Sequence, residues 1–121
     1  MTATVRALRG AISCDADTPE AINAAAVEVV TAMLARNELA SDDVISIFFT
    51  STPDLISGFP ATAVRLAGFE EVPLMCAVEI SVPGSMPRVI RVLMHAYSSR
   101  RRQEIKHVFL GDARALRSDL D

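Results

Sequence analysis

The strand-forming segments of this chain are apolar on both faces, yet only one long helix is available to cover them. Val44 to Thr50 reads VISIFFT, with Ile47, Phe48 and Phe49 consecutive; Val89 to Tyr97 reads VIRVLMHAY, with Val92, Leu93 and Met94 consecutive. Successive side chains of a strand point to opposite faces, so such runs need cover on both sides. The long helical pattern runs from Pro19 to about Arg36, where Ile22, Ala26, Val29, Val30 and Met33 recur at helical spacing. Asp17 or Thr18 can cap it, Pro19 fits the first helical position, and Glu20 follows Asp17 by three residues. A helix of this length covers one face of a sheet. A second copy of the chain is the simplest cover for the other, and closed symmetry then predicts a ring or dimer.

The remaining segments complete an α+β pattern over one domain, residues 1–121: a five-stranded mixed sheet with one long and one short helix. TVRALRGAIS (4–13), LMCAVEI (74–80) and KHVFL (106–110) read as strands. Pro53, Gly58 and Pro60 enforce a loop, Ala61 to Ala67 makes two helical turns, and Gly68 stops them. Ser41 to Asp43 is a turn, Ser81 to Pro87 a loop, and the tail after Gly111 is polar. Half the residues are apolar, which argues for a packed core. Twelve basic against fifteen acidic residues leave a net charge of −3, so a strongly basic nucleic-acid binder is not expected. Apolar runs stay below the roughly 18 residues of a membrane span, and the N-terminus lacks a signal-peptide core. Cys14 and Cys76 form no CxxC pair, so free thiols and a cytoplasmic location are expected.

Nucleotide-loop, dinucleotide and serine-hydrolase motifs are absent. His95 and His107 stand on different strands, and no spacing suggests a metal site, so neither metal nor cofactor is expected. Asp15, Asp17, Asp42 and Asp43 fall in turns and caps, and Arg100, Arg101 and Arg102 read as a solvated loop. Arg9, Glu79 and Arg91 are more informative, because each interrupts or ends an apolar strand. A charge there is costly unless it is paired or faces water. Either each points outward at a strand end, or the three line one polar cleft. In the second case two guanidinium forks suit a small dianion and Glu79 suits a hydroxyl.

The chain resembles the monofunctional chorismate mutases of the small trimeric class, the AroH type. The resemblance rests on RALRGA (6–11), DTPEAI (17–22), the STPDL, FPA and AVR pieces between Ser51 and Arg65, VPLMCAVEI (72–80), IRVLMH (90–95), IKHVFL (105–110) and DARALRSDL (112–120). It implies a pseudo-α/β-barrel homotrimer with active sites between subunits, which rearranges the dicarboxylate chorismate to prephenate without a cofactor. Carried over by position, Arg9 would hold the side-chain carboxylate and Arg91 would donate to the ether oxygen of the breaking bond. Glu79, with the backbone around Cys76, would bind the ring hydroxyl. Met75, Ala77 and Val78 would complete that strand wall. Phe59, Ala61 and Arg65 of the adjacent subunit would form the other wall, while Leu116 and Arg117 would belong to a mobile tail closing over the ligand.

Two positions depart from the family pattern. Phe109 stands where Tyr is usual, removing a hydroxyl, and Thr62 stands where some relatives carry Lys near the cleft mouth. The implied reaction moves no proton, which accounts for the missing nucleophile and base. Two rival readings remain at this point. One is a small trimeric imine deaminase; the other is a non-catalytic sensor of aromatic metabolites. Loss of chorismate absorbance separates all three.

Overall fold

In the computed structural model, which describes residues 3–120, five strands form one sheet in the order β3-β2-β4-β1-β5. The strands are β1 (Thr4–Ser13), β2 (Val44–Ser51), β3 (Leu74–Val78), β4 (Val89–Ser98) and β5 (Val108–Leu110). β4 is antiparallel to β1 and to β2, while β3 runs parallel to β2 and β5 parallel to β1. The helices are α1 (Pro19–Arg36) and α2 (Pro60–Leu66). Short 3-10 turns occupy Ser41–Asp43 and Arg102–Glu104, and a longer 3-10 run follows β5 at Gly111–Leu120. Among the described residues no helix is long and apolar enough to cross a membrane.

α1 begins where the capping pattern places it. The Thr18 hydroxyl accepts from the Ala21 N–H at 3.1 Å. Asp17 does a different job from the one its spacing to Glu20 suggests. Its carboxylate accepts from the Ile56 and Ser57 N–H groups, each at 3.0 Å, and so ties the loop before α2 to the start of α1. Ile22, Ala25, Ala26, Val29, Val30 and Met33 form the buried stripe of α1. They pack on Leu8, Ile12, Ile47, Phe49, Ile90, Val92 and Met94. Gly10 lets helix and sheet approach. A Cβ there would lie 2.5 Å from the Met33 sulfur and 3.1 Å from a Val29 methyl.

Two strands are shorter than their apolar runs. β5 starts at Val108, not Lys106, because the Asn37 side chain takes both backbone groups of Lys106. Its amide nitrogen donates to Lys106 O at 2.9 Å and its oxygen accepts from Lys106 N–H at 2.8 Å. The same amide nitrogen donates to Met33 O at 2.8 Å, and Arg100 donates to the amide oxygen at 3.2 Å. This buried side chain therefore closes the end of α1 onto the strand beside it. β3 ends at Val78, not Ile80, because β2 ends at Ser51 and Thr52 turns towards β4: its N–H donates to Val89 O and its hydroxyl accepts from the Val89 N–H, each at 3.1 Å.

The second face of the sheet has partial cover. Ala11, Val89 and Phe109 are buried at one end by Ala113 of the last 3-10 run, with Met86 and Leu116 packed alongside. The rest is bare: Val5, Phe48, Met75, Leu93 and Tyr97 are between 39% and 62% exposed. That much apolar surface on one face is unusual for a monomer.

The loop after β2 is fixed by Asp54, whose carboxylate accepts from the Arg88 N–H at 2.9 Å. A hydrogen bond from Thr52 is the largest influence holding the Asp54 carboxyl below the ordinary carboxylate range. Because its folded-state value is depressed, this contribution to stability is present above the ordinary range and lost as pH falls through the folded-state value. Asp54→Ala is therefore expected to lower Tm near neutral pH, with the gap to the parent closing below about pH 4; a pH series of thermal melts checks it. Asn37→Ala is expected to cost at least about 2 kcal/mol, since it strands buried backbone groups. Thr18→Ala should cost about 1 kcal/mol. Urea unfolding measures both.

Candidate active site

The register sets which side chains share the second face. Arg9 stands opposite Leu93, Ala11 opposite Arg91, and Thr50 opposite Arg91 from the other side. Phe109 lies beside Ala11, and Met75 and Ala77 lie beside Phe48 and Thr50. Arg9 and Arg91 are therefore diagonal neighbours, a relation that puts residues about 7–8 Å apart. Glu79 lies just past the end of β3, in phase with Ala77, and its N–H donates to Ser51 O at 2.9 Å. The structure thus brings Arg9, Arg91 and Glu79 to one place, between the buried Phe109 cluster and the bare apolar surface.

Glu79 and Arg91 form an ion pair. Arg91 Nε is 3.0 Å from Oε2 and 3.2 Å from Oε1 of Glu79. Thr50 Oγ1 donates to Glu79 Oε2 at 2.7 Å. The carboxylate side chain is 17% exposed and the guanidinium 40%. Only Nε of Arg91 is engaged, so its two terminal nitrogens have no hydrogen-bond partner among the described residues. The Arg9 guanidinium lies 6.0 Å over the Phe109 ring, within cation–π range, and makes no ion pair among the described residues. Among the described residues the site therefore holds two cationic groups against one carboxylate, which leaves this part of it net positive beside an apolar surface. Such a place suits an anionic ligand with an apolar body.

Two residues that sequence reasoning passed over contribute here. Thr50 is one; its polar place in the VISIFFT run was the available signal. The other is His107, whose Nδ1 accepts from the Arg9 N–H at 3.0 Å. That contact is long-range and gives no sequence signal.

The remaining candidates divide between this site and the β3 edge. Strand alternation divides the expected β3 wall, since Met75 and Ala77 face with Arg91 whereas Cys76 pairs with Phe49 and Val78 with Ser51. Phe59, Cys76, Ala77 and Val78 line a cavity of about 490 Å³ at the β3 edge. Phe59 is 70% exposed. Thr62 and Arg65 are exposed on α2, and the Ala61 side chain is buried in the core, leaving its backbone for a ligand. Leu116 is half-buried against the Phe109 cluster. The side chain of Arg117 lies outside the described residues. Cys14 is buried, and burial, reinforced by Asp15 and Asp54, pushes its thiol up to about 11. It stays protonated at neutral pH and is no nucleophile. Among the described residues no group of His, Cys, Asp and Glu could hold a metal ion.

A family model described as chorismate mutase type I matches residues 5–120. The chain is 46% identical over 118 residues to the chorismate mutase AroH of Thermus thermophilus, covering 97% of each. It is 35% identical over 117 residues to the chorismate mutase AroH of Bacillus subtilis strain 168, covering 96% of this chain and 92% of that one. The solved structure of a chorismate mutase from Clostridium thermocellum matches with a TM-score of 0.88 at 42% identity, covering 90% of this chain and 97% of that one.

Proposed function

The chain belongs to the chorismate mutase type I family and is a chorismate mutase, an isomerase of aromatic biosynthesis; we propose that it works by folding its substrate and by placing the charge of Arg91 at the breaking bond. The reaction converts chorismate to prephenate within one molecule. A C–O bond breaks, a C–C bond forms, and no proton moves. Two effects are then open to a protein. One is to hold the enolpyruvyl arm over the ring in a near-attack geometry. The other is to stabilise the negative charge that grows on the ether oxygen.

In this reading Arg9 anchors the arm's carboxylate, and the terminal nitrogens of Arg91 donate to the ether oxygen. Glu79 and the backbone at Cys76 receive the ring hydroxyl, with Leu116 and Arg117 closing over the ligand. The observation that carries it is the Arg91–Glu79 pair, engaged through Nε at 3.0 Å and leaving the rest of the fork available beside Arg9. Because Arg91 meets more charge in the transition state than in the ground state, its effect falls on kcat.

The bare apolar surface supports assembly as a homotrimer, with Phe59, Ala61, Thr62 and Arg65 of a neighbouring copy supplying the second wall of each site. In this assembly a heterologous contact joins the second sheet face to the β3-edge region of the next copy, and a threefold rotation would close it as a ring. The two free thiols suit a reducing compartment, and we place the enzyme in the cytoplasm.

Arg91→Ala is expected to lower kcat by about 10²–10³ in a chorismate-absorbance assay. Arg91→Lys recovers little, because the fork and its position are both lost. A neutral isostere of Arg91 with parental kcat would falsify the electrostatic reading. Glu79→Ala should cost less than Arg91→Ala. Phe48→Glu is expected to shift sedimentation from a trimer to smaller species and to lower activity with it; a parent protein that sediments as a stable monomer at micromolar concentration would sink the assembly.

A further inference from the structure

We propose that Thr50 is a positioning residue for this reaction: its hydroxyl holds the Glu79 carboxylate in the orientation that presents Arg91. The inference rests on the reading of Arg91 and Glu79 given above and adds a residue whose side chain touches no substrate in that reading. Thr50 lies on β2 between Arg91 on β4 and Ala77 on β3. Glu79 stands past the end of β3, where its backbone is tied by one hydrogen bond to Ser51 O at 2.9 Å. The last torsion of a Glu side chain is broad and roughly two-fold, so a backbone tie alone leaves the carboxylate free to turn. Thr50 removes that freedom by donating to Oε2 at 2.7 Å.

The same oxygen is 3.0 Å from Arg91 Nε. The hydrogen bond of Nε goes to the other oxygen, Oε1, at 3.2 Å, so hydroxyl and guanidinium converge on one carboxylate from neighbouring strands and between them engage both of its oxygens. A guanidinium is planar, so fixing Nε against a fixed carboxylate also sets the direction of the two terminal nitrogens. A β-branched residue suits this role, because its first side-chain torsion is stiff on a strand and the donor is aimed before ligand arrives. Without the hydroxyl, the carboxylate keeps Arg91 as its partner through Oε1, but the pair can rotate together and the fork loses its aim at the ether oxygen. The loss appears in kcat, since the misdirected interaction belongs to the transition state.

The test compares kcat and KM for chorismate in the full-length Thr50→Val, Thr50→Ala and Thr50→Ser proteins, alongside Arg91→Ala and Glu79→Ala. Thr50→Val keeps the branched shape, and its far-UV circular dichroism and urea midpoint report whether it folds; if it does not, Thr50→Ala decides. The expected result is a fall in kcat of about 10-fold or more for Val and Ala, with a smaller change in KM. Thr50→Ser restores kcat to within about 3-fold of the parent, because it keeps the donor. Parental kcat in the folded Val or Ala protein, a change confined to KM, or a Ser protein as slow as Val overturns the role of Thr50. Parental kcat in Arg91→Ala and Glu79→Ala overturns the underlying reading of the site as well.

Discussion

The molecule is organised by a shortage of cover. α1 is 18 residues long and buries one face of a five-stranded sheet, and among the described residues nothing of similar size lies on the other. The first face becomes the core, with Leu8, Ile47, Phe49 and Met94 closed under the helix. On the second face, the last 3-10 run reaches as far as Ala11, Val89 and Phe109. Beyond that edge the sheet is apolar and open. Arg9, Arg91, Thr50 and Glu79 occupy the boundary between the two zones. This position suits charges that must be shielded enough to act strongly and open enough to meet a ligand. Deeper burial would raise the desolvation cost of the ion pair, and full exposure would let water weaken its field.

The charge arithmetic at that boundary matters as much as the location. A guanidinium fully matched by a carboxylate is a poor partner for a substrate anion. Arg91 escapes this because Glu79 meets it at Nε, the inner nitrogen, and among the described residues leaves the outer ones unengaged. Arg9 has a ring face beneath it and, among the described residues, no counter-ion. A dianionic substrate therefore finds two cationic groups that need not first break a pair with another protein side chain. A reaction that transfers no proton asks for little else: a shaped wall, an anchored arm and a fixed positive charge.

Local chemistry was readable in the sequence where local rules decided the outcome. α1 runs from Pro19 to Arg36 because Thr18, Pro19 and the apolar stripe all favour that start and period. The strand-like runs around Ile47 and Val92 announced a sheet with two apolar faces. Distant partners were hidden. Nothing near Lys106 says that Asn37, 69 residues away, claims its backbone and delays β5. Arg9, Glu79 and Arg91 could be named as odd charges in apolar strands, but sequence left open whether they met. The register between β1, β4 and β2 decides that, and register depends on pairing across the whole chain. Thr50 was passed over because a threonine in a strand is ordinary; its meaning comes from Glu79, which a different strand delivers. The β3 wall shows the converse case. Met75, Cys76, Ala77 and Val78 are adjacent in sequence, yet alternation sends them to different surfaces.

Phe109 shows how the fold constrains the chemistry at the edge of the site. Its ring is 5% exposed and packed among Ala11, Val89 and Ala113, so it is first a core residue of the second face. Its open side carries the Arg9 guanidinium at 6.0 Å. A tyrosine there would add a hydroxyl as a further donor to a ligand, whereas phenylalanine keeps only the ring face. Arg9 then depends on that face and on its own strand for its direction. The His107 ring, on the chain leading into β5, accepts the Arg9 backbone N–H and holds the peptide from the other side. In the proposed mechanism, anchoring of a substrate carboxylate falls to this one guanidinium, whose backbone and side chain are each steadied by an aromatic ring. On that proposal, a phenylalanine here makes substrate affinity depend more heavily on Arg9, while the charge proposed to act on the breaking bond stays with Arg91, on the neighbouring strand and held by a different partner.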